Sequence, residues 1–237
     1  EGGVPGVPGG AGNQRTLPAV VRRSSIRYLG DCMIRTFRAA TAFAVFAVAP
    51  AALAAQAAPA AAGLPTWSID VAHSEVNFRI RHFMSRVSGT FTDWSGTIQG
   101  DPANWSGGSV TATINVASVD TRQERRDADL RSGRFFAVDS FPTITFVSRS
   151  VVQAGDSLTV SGDLTMRGVT KPVVLKGMVL GVMPGERPRA GFEVTTTLNR
   201  LDYGVMYNRV LEGGGTMLGD DVEIRINVEA LRQPPAP

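Results

Sequence analysis

From Asp221 to Leu231 the residues alternate without a break. Val222, Ile224, Ile226, Val228 and Ala230 are apolar, and Glu223, Arg225, Asn227 and Glu229 between them are polar. Successive side chains of a strand point to opposite faces, so such a segment has one dry face and one wet face. The pattern recurs along most of the chain after residue 65. Val76, Phe78, Ile80 and His82 stand against Glu75, Asn77, Arg79 and Arg81. Val110, Ala112, Ile114 and Val116 stand against Ser109, Thr111, Thr113 and Asn115. A chain written this way is constrained to one antiparallel β structure, with an apolar interior and a charged exterior.

The expected strands are Thr66–Asp70, Glu75–Phe83, Val87–Ile98, Ser109–Val116, Thr143–Ser148, Ser157–Met166, Lys171–Val182, Ala190–Asn199 and Asp221–Leu231. In Val87–Ile98 the bulky Phe91 and Trp94 are out of phase, which places a bulge near Asp93. Lys171–Val182 is apolar on both phases except at Lys176, as expected of a strand covered on both faces. Between strands, Thr121-Arg122-Gln123-Glu124 has the form of a capping box, with Thr121 as N-cap. It predicts a helix over Arg122–Ser132, an Arg125–Asp129 pair on it, and a stop at Gly133. Arg200–Gly219 is a long Gly-rich connection of a length that is often functional. About eight or nine strands and one short helix make an all-β fold, a closed antiparallel barrel. Its interior is either filled by side chains or just wide enough for one small ligand. A membrane barrel is not expected, because its outer face must be apolar, whereas Glu75, Arg79, Arg81, Glu223, Arg225 and Glu229 occupy one face here.

The barrel accounts for residues 64–232. Ahead of it, Met33 opens a stretch with Arg35 and Arg38, an apolar run from Ala39 to Ala49, and Ala52-Leu53-Ala54. That order of charge, apolar run and small residues is that of an export signal over 33–54. The run is shorter than the about 20 residues a membrane span needs. Residues 1–32 are Gly/Pro-rich and aperiodic, and read as a disordered or over-extended leader. Residues 55–63 read as an Ala/Pro linker and 233–237 as a flexible tail. Export implies a periplasmic location.

The full chain carries a formal charge of +3. Residues 1–54 hold six of the 24 Lys/Arg and two of the 21 Asp/Glu, so the remainder stands at about −1. The basic character thus belongs to the leader, and nucleic-acid binding is not implied. The single cysteine, Cys32, also falls in the leader. The barrel therefore has neither a disulfide framework nor a thiol nucleophile.

Candidate chemistry is sparse. His73 and His82 are nine residues apart, so on one strand they face opposite sides at roughly 30 Å, given about 3.3 Å per residue. They cannot share a metal in that geometry, and no other metal motif is present. No G-x-S-x-G elbow marks a hydrolase. His82 shares the dry phase with Val76, Phe78 and Ile80. It is either a strand-end histidine bonded to backbone or a donor facing a ligand at a cavity mouth. His73 shares the wet phase. Arg122, Arg125, Arg126, Arg131 and Arg134 gather on and after the expected helix. They form either a solvated, salt-bridged surface or, through Arg125 and Arg126, a head-group site, which guanidinium geometry suits.

Several fragments together resemble one family. Trp67-x-Ile69-Asp70-x-x-His73-Ser74-x-Val76-x-Phe78, His82 and Val87-x-Gly89-x-Phe91 are similar to the opening of the YceI-like polyisoprenoid-binding proteins. Ser118-Val119-Asp120-Thr121, Arg126-Asp127-x-Asp129-Leu130-x-Ser132 and Phe135-Phe136 resemble its helix region, although the family usually has His where Asp129 stands. Phe141-Pro142-x-Ile144-x-Phe146-x-Ser148, Gly162-x-Leu164-Thr165-x-Arg167-Gly168-x-Thr170-Lys171-Pro172-Val173 and Asp202-Tyr203-Gly204 continue the match, which spans about Leu64–Leu231. The resemblance implies an extended lipocalin-like barrel, usually periplasmic or secreted. It also implies that the barrel holds a long isoprenoid or fatty chain and does no catalysis. Strand phase then selects Phe78, Ile80, His82, Phe91, Ala112, Ile114, Phe146, Leu164, Val194, Ile224 and Ile226 as ligand-binding wall positions. No cofactor, catalytic residue or metal is expected, and a homodimer is left open. Two rivals remain at this point. One is an enzyme acting on an isoprenoid or quinone, with His82 and an arginine as acid/base and oxyanion partners. The other is a filled barrel serving as a stress-response partner module.

Overall fold

A computed structural model describes residues 63–234. The leader, the export signal, nearly all of the linker and the last residues of the tail lie outside them. The described chain forms β1 (Thr66–Ile69), β2 (Glu75–His82), β3 (Ser85–Phe91), β4 (Trp94–Asp101), β5 (Asn104–Asn115), β6 (Val119–Asp120), α1 (Glu124–Arg131), β7 (Thr143–Ala154), β8 (Ser157–Met166), β9 (Val169–Met183), β10 (Arg189–Asn199) and β11 (Leu218–Arg232).

These segments build a closed antiparallel barrel of eight staves. Three staves are interrupted. A 3-10 turn at Val71–His73 breaks β1 from β2, Thr92-Asp93 breaks β3 from β4, and a 3-10 turn at Val116–Ser118 breaks β5 from β6. The pairing runs straight across the breaks: β2 pairs with β3 and β1 with β4, while β3 pairs with β6 and β4 with β5. Closure comes from β11, whose Asn227 end pairs with β2 and whose Ala230–Arg232 end pairs with β1. The out-of-phase Phe91 and Trp94 are thus explained by a break at Asp93 that resets the alternation. Both are buried.

Register puts the dry phases of adjacent staves side by side. Ile80 faces Val222 and Phe78 faces Ile224, while Ala112 faces Phe146, and Phe146 in turn faces Leu164. Two glycines make room for aromatic rings on this inner wall. A Cβ on Gly89 would collide with the Phe78 ring, and one on Gly162 with the Phe146 ring. Glycine in a barrel strand marks such a close approach.

Several boundaries differ from the sequence reading. The helix begins at Glu124, not Arg122, and Gln123 is its N-cap, accepting from Arg126 N at 2.8 Å. Arg122 takes a φ of +61°, outside helical space, and lies in the bend between β6 and α1. Thr121 turns inward, where its amide and hydroxyl both donate to buried Asp127. Asp129 pairs with Arg134 rather than Arg125. β5 starts at Asn104 and β7 runs to Ala154 past a bulge at Ser148/Ser150. On β9, Val174, Met178 and Leu180 are exposed among the described residues, so that strand is covered on its inner face only.

The two ends of the barrel are different. The lower end carries the β4–β5, β7–β8 and β9–β10 connections. The upper end carries the β2–β3 hairpin, α1 and the segments around it, the Arg167-Gly168 turn, and residues 200–217. The upper parts are tied to one another. Arg131 donates to Ala117 O and Val119 O at 2.7 and 2.8 Å, and Arg167 donates to Phe135 O.

Candidate functional site: an apolar cavity in the upper barrel

The barrel is packed below and hollow above. Below, Trp105 stacks against Trp67 and Phe192, with ring centroids 5.2 and 4.8 Å away. Trp67 Nε1 donates to Gly100 O at 3.0 Å. Ile98, Leu158, Val160, Ala190 and Ala230 are buried in the same cluster, which closes this end. Among the described residues, Trp105 Nε1 is the buried side-chain nitrogen left without a partner.

A cavity of ≈ 430 Å³ with an almost wholly apolar wall rises from this cluster, with Trp105, Phe192, Ile98, Leu158 and Val160 also lining it. That volume falls within the about 300–1,000 Å³ of ordinary ligand pockets. Phe78, Ile80, His82, Phe91, Ala112, Ile114, Phe146, Leu164, Val194, Ile224 and Ile226 all line it. Phe91, Phe146 and Val194 are also buried in packed clusters. The others stay half-exposed although they point inward. In a filled barrel these positions would be covered by the opposite wall.

The upper rim is built by irregular segments. Phe135, Phe136 and Leu130, on and after α1, line the cavity from one side, and Val205, Tyr207, Arg209 and Met217 from another. Tyr207 packs on Phe135 at 5.1 Å between ring centroids, and the Arg134 guanidinium lies 4.8 Å over the Tyr207 ring. Of the lining residues, Tyr207 and Arg209 are the exposed ones, so the cavity reaches solvent beside them.

Buried Arg200 organises this rim. It donates from Nε to Gly219 O at 2.8 Å and from Nη1 to the carbonyls of Val205 and Tyr207, and its Nη2 meets Asp220 at 3.1 Å. Burial lowers its guanidinium from the usual range, and Asp220 opposes that shift. Next to it, burial pushes the Tyr203 phenol up to about 12, with Asp202 adding to the effect, so this ring stays neutral.

The polar candidates divide. The His82 ring hydrogen-bonds to no other described residue; only its backbone carbonyl is used, accepting from Ser85 Oγ at 3.2 Å. Its imidazole is therefore a free donor or acceptor on the wall. Arg126 also lines the cavity, but its guanidinium is committed to Thr121 Oγ1 and Thr121 O at 2.7 and 2.8 Å. Arg125 does not line the cavity. One residue is about 100° around a helix, which turns Arg125 out to solvent, away from the cavity lining.

His73 is exposed, with Nδ1 2.9 Å from Asp70 Oδ2, and this contact holds the Asp70 carboxyl below its usual range. Asp70, His73 and Glu229 bring ligand atoms within 4.8 Å of one another. Arg189, however, pairs with both carboxylates, so the group is an ion-pair knot across β1, β10 and β11. The residues that the sequence did not point to are Trp105, Tyr207, Arg209 and Met217. Trp105 lies between the expected strands Val87–Ile98 and Ser109–Val116, on the early part of β5. The other three lie on the long connection that sequence could flag but not fold.

The sequence matches the model of the YceI-like domain over residues 67–230. The chain belongs to this family. A YceI-like relative, a UPF0312 protein of Staphylococcus aureus strain MSSA476, is 39% identical over 171 residues, covering 70% of this chain and 97% of its own. The crystal structure of BcnA from Burkholderia cenocepacia is similar at a TM-score of 0.59 and 25% identity, over 68% of this chain and 98% of that one. The YceI protein of Campylobacter jejuni gives a TM-score of 0.57 and 29% identity, over 64% and 88%. A polyisoprenoid binding domain from Saccharophagus degradans shares the fold, with a TM-score of 0.55 at 16% identity over 72% and 99%. Among the described residues, no helix is long and apolar enough to cross a membrane.

Proposed function

We propose that this protein is an exported, periplasmic lipid carrier that holds one long isoprenoid or acyl chain in the upper barrel, without turning it over. The observation that carries this reading is the half-exposed inner wall. Phe78, Ile80, Ala112, Ile114, Leu164, Ile224 and Ile226 point inward, line one cavity, and are only partly covered by protein. Exposed apolar surface of that kind is stabilised by burying an apolar chain. Each methylene contributes about 0.8 kcal/mol, association costs about 4–15 kcal/mol and micromolar affinity needs about 8 kcal/mol beyond that cost, so a chain of roughly fifteen carbons or more is needed. The family and the polyisoprenoid binding domain among its structural neighbours support the same class of cargo.

Arg126 is committed to Thr121, and no hydrogen bond joins it to His82. The test is to recover the protein from the periplasmic fraction of its native host and analyse an organic extract by mass spectrometry. A prenyl or acyl lipid at about one per protein is expected. Absence from that fraction overturns export. A lipid-free extract, together with failure to take up an added prenyl alcohol, overturns the cargo.

His82 is assigned to the cargo's polar end. His82→Leu is expected to leave the melting temperature and tail binding unchanged, and to abolish the preference between prenyl alcohol and prenyl phosphate in competition binding. His73→Leu, on the outer surface, should alter neither. Equal effects from the two variants would remove His82 from the site.

A further inference from the structure

The cavity opening is bordered by side chains that contact with water does not explain. Met84 is 89% exposed, Val210 78%, Met206 64% and Phe83 52%. Single exposed apolar residues are ordinary, whereas a contiguous patch marks a binding surface. The backbone joins these residues into one ridge. Phe83 N–H donates to Met217 O at 2.6 Å, Met217 N–H donates to Arg209 O at 2.9 Å, and Val210 bridges Thr216. Tyr207 and Arg209, which mark the opening, belong to the same segment.

Phe83 adds an independent sign. Its φ is +54°, a left-handed conformation in which a hairpin tip normally carries glycine or asparagine. A large aromatic kept there against local backbone preference points to use of its side chain. The ridge is also flanked by cations. Exposed Arg81 reaches Thr216 O at 3.2 Å, Arg134, paired with Asp129, lies over Tyr207, and Arg209 is exposed; Asp202 and Glu212 are the acids of residues 200–217.

We propose that this ridge docks the barrel on an anionic lipid bilayer, so that cargo passes between membrane and cavity without crossing water. The transfer role rests on the carrier reading above; the docking does not. A second copy seated on the ridge by a twofold axis would bring like charges together, whereas an anionic membrane complements them.

The test uses the full chain, stripped of lipid. Co-sedimentation is measured with phosphatidylcholine vesicles and with vesicles enriched in phosphatidylglycerol. Binding is expected to the anionic vesicles and to weaken as salt is raised. The triple variant Phe83→Ser, Met84→Ser, Val210→Ser should bind them at least tenfold more weakly, yet take up a prenyl alcohol added from ethanol as the wild type does. Met84→Trp should add quenching by brominated lipids beyond that of the wild type, whose buried Trp94 and Trp105 line the cavity and report only lipid taken up there. The added quenching is local to the ridge, so the apolar run at 39–49 cannot produce it. Unchanged vesicle binding by the triple variant, absence of added quenching, or a change only in oligomeric state by sedimentation would each overturn the docking. Vesicle binding without prenyl uptake would leave the docking standing and overturn the carrier reading instead.

Discussion

Ala112→Trp is expected to leave the delipidated barrel folded and to empty it of cargo. Ala112 lies on the inner wall between Gly96 on β4 and Phe146 on β7, and its side chain is half-exposed to the cavity. If the interior were ordinary core, an indole there would overpack and cost about 1–3 kcal/mol or more. In a hollow barrel the ring takes the space that a lipid tail occupies. The melting temperature of delipidated protein should therefore stay close to wild type, while the lipid recovered in an organic extract falls to background. Ala112→Phe, which brings no N–H to satisfy, should behave the same way. A marked drop in melting temperature with lipid still bound would show that Ala112 is packed core.

Arg200→Ala is expected to damage both stability and the cavity opening. One guanidinium here serves Gly219, Val205 and Tyr207 carbonyls and the Asp220 carboxylate from a buried position. Hydrogen bonds to a charged donor contribute about 1.5–3 kcal/mol each, and freed carbonyls on a surface segment recover part of that from water. A net loss of about 3 kcal/mol corresponds to a fall of about 6–12 °C in melting temperature for a domain of this size. Tyr207 and Arg209 should lose their places at the opening, so lipid retention falls with stability. Arg200→Lys should be intermediate, because an ammonium lacks the planar fork that reaches several acceptors at once. A melting temperature within about 2 °C of wild type for Arg200→Ala would mean that the rim holds itself without this residue.

The wall of the barrel was legible because a strand's side chains repeat every two residues. Once the phase of Glu75–His82, Ser109–Asn115, Ser157–Met166 and Asp221–Leu231 is read, the inward set follows. Every wall position chosen on that ground lines the cavity, whereas the contact each makes with a ligand awaits the experiments above. On the helix the same kind of reading was less sure. Local pattern named both Arg125 and Arg126, and only the packing of α1 against β6 turned one inward and the other out.

What alternation cannot report is where staves break and where irregular chain goes. The breaks at Val71–His73, Asp93 and Val116–Ser118 let short strands pair end to end, which is a property of neighbouring strands rather than of any one segment. Whether the interior is filled also depends on distances across the barrel. The same apolar phase makes a packed plug around Trp67, Trp105 and Phe192 and a hollow above it. The opening is furthest from the reach of sequence. It is made by residues 200–217, whose course follows from the hydrogen bonds of one buried arginine and the contact of Tyr207 with Phe135, both long-range in space and without a period along the chain. Sequence by itself thus determined a closed β wall with a dry inner face; tertiary structure decided that the face encloses a space, and where that space opens.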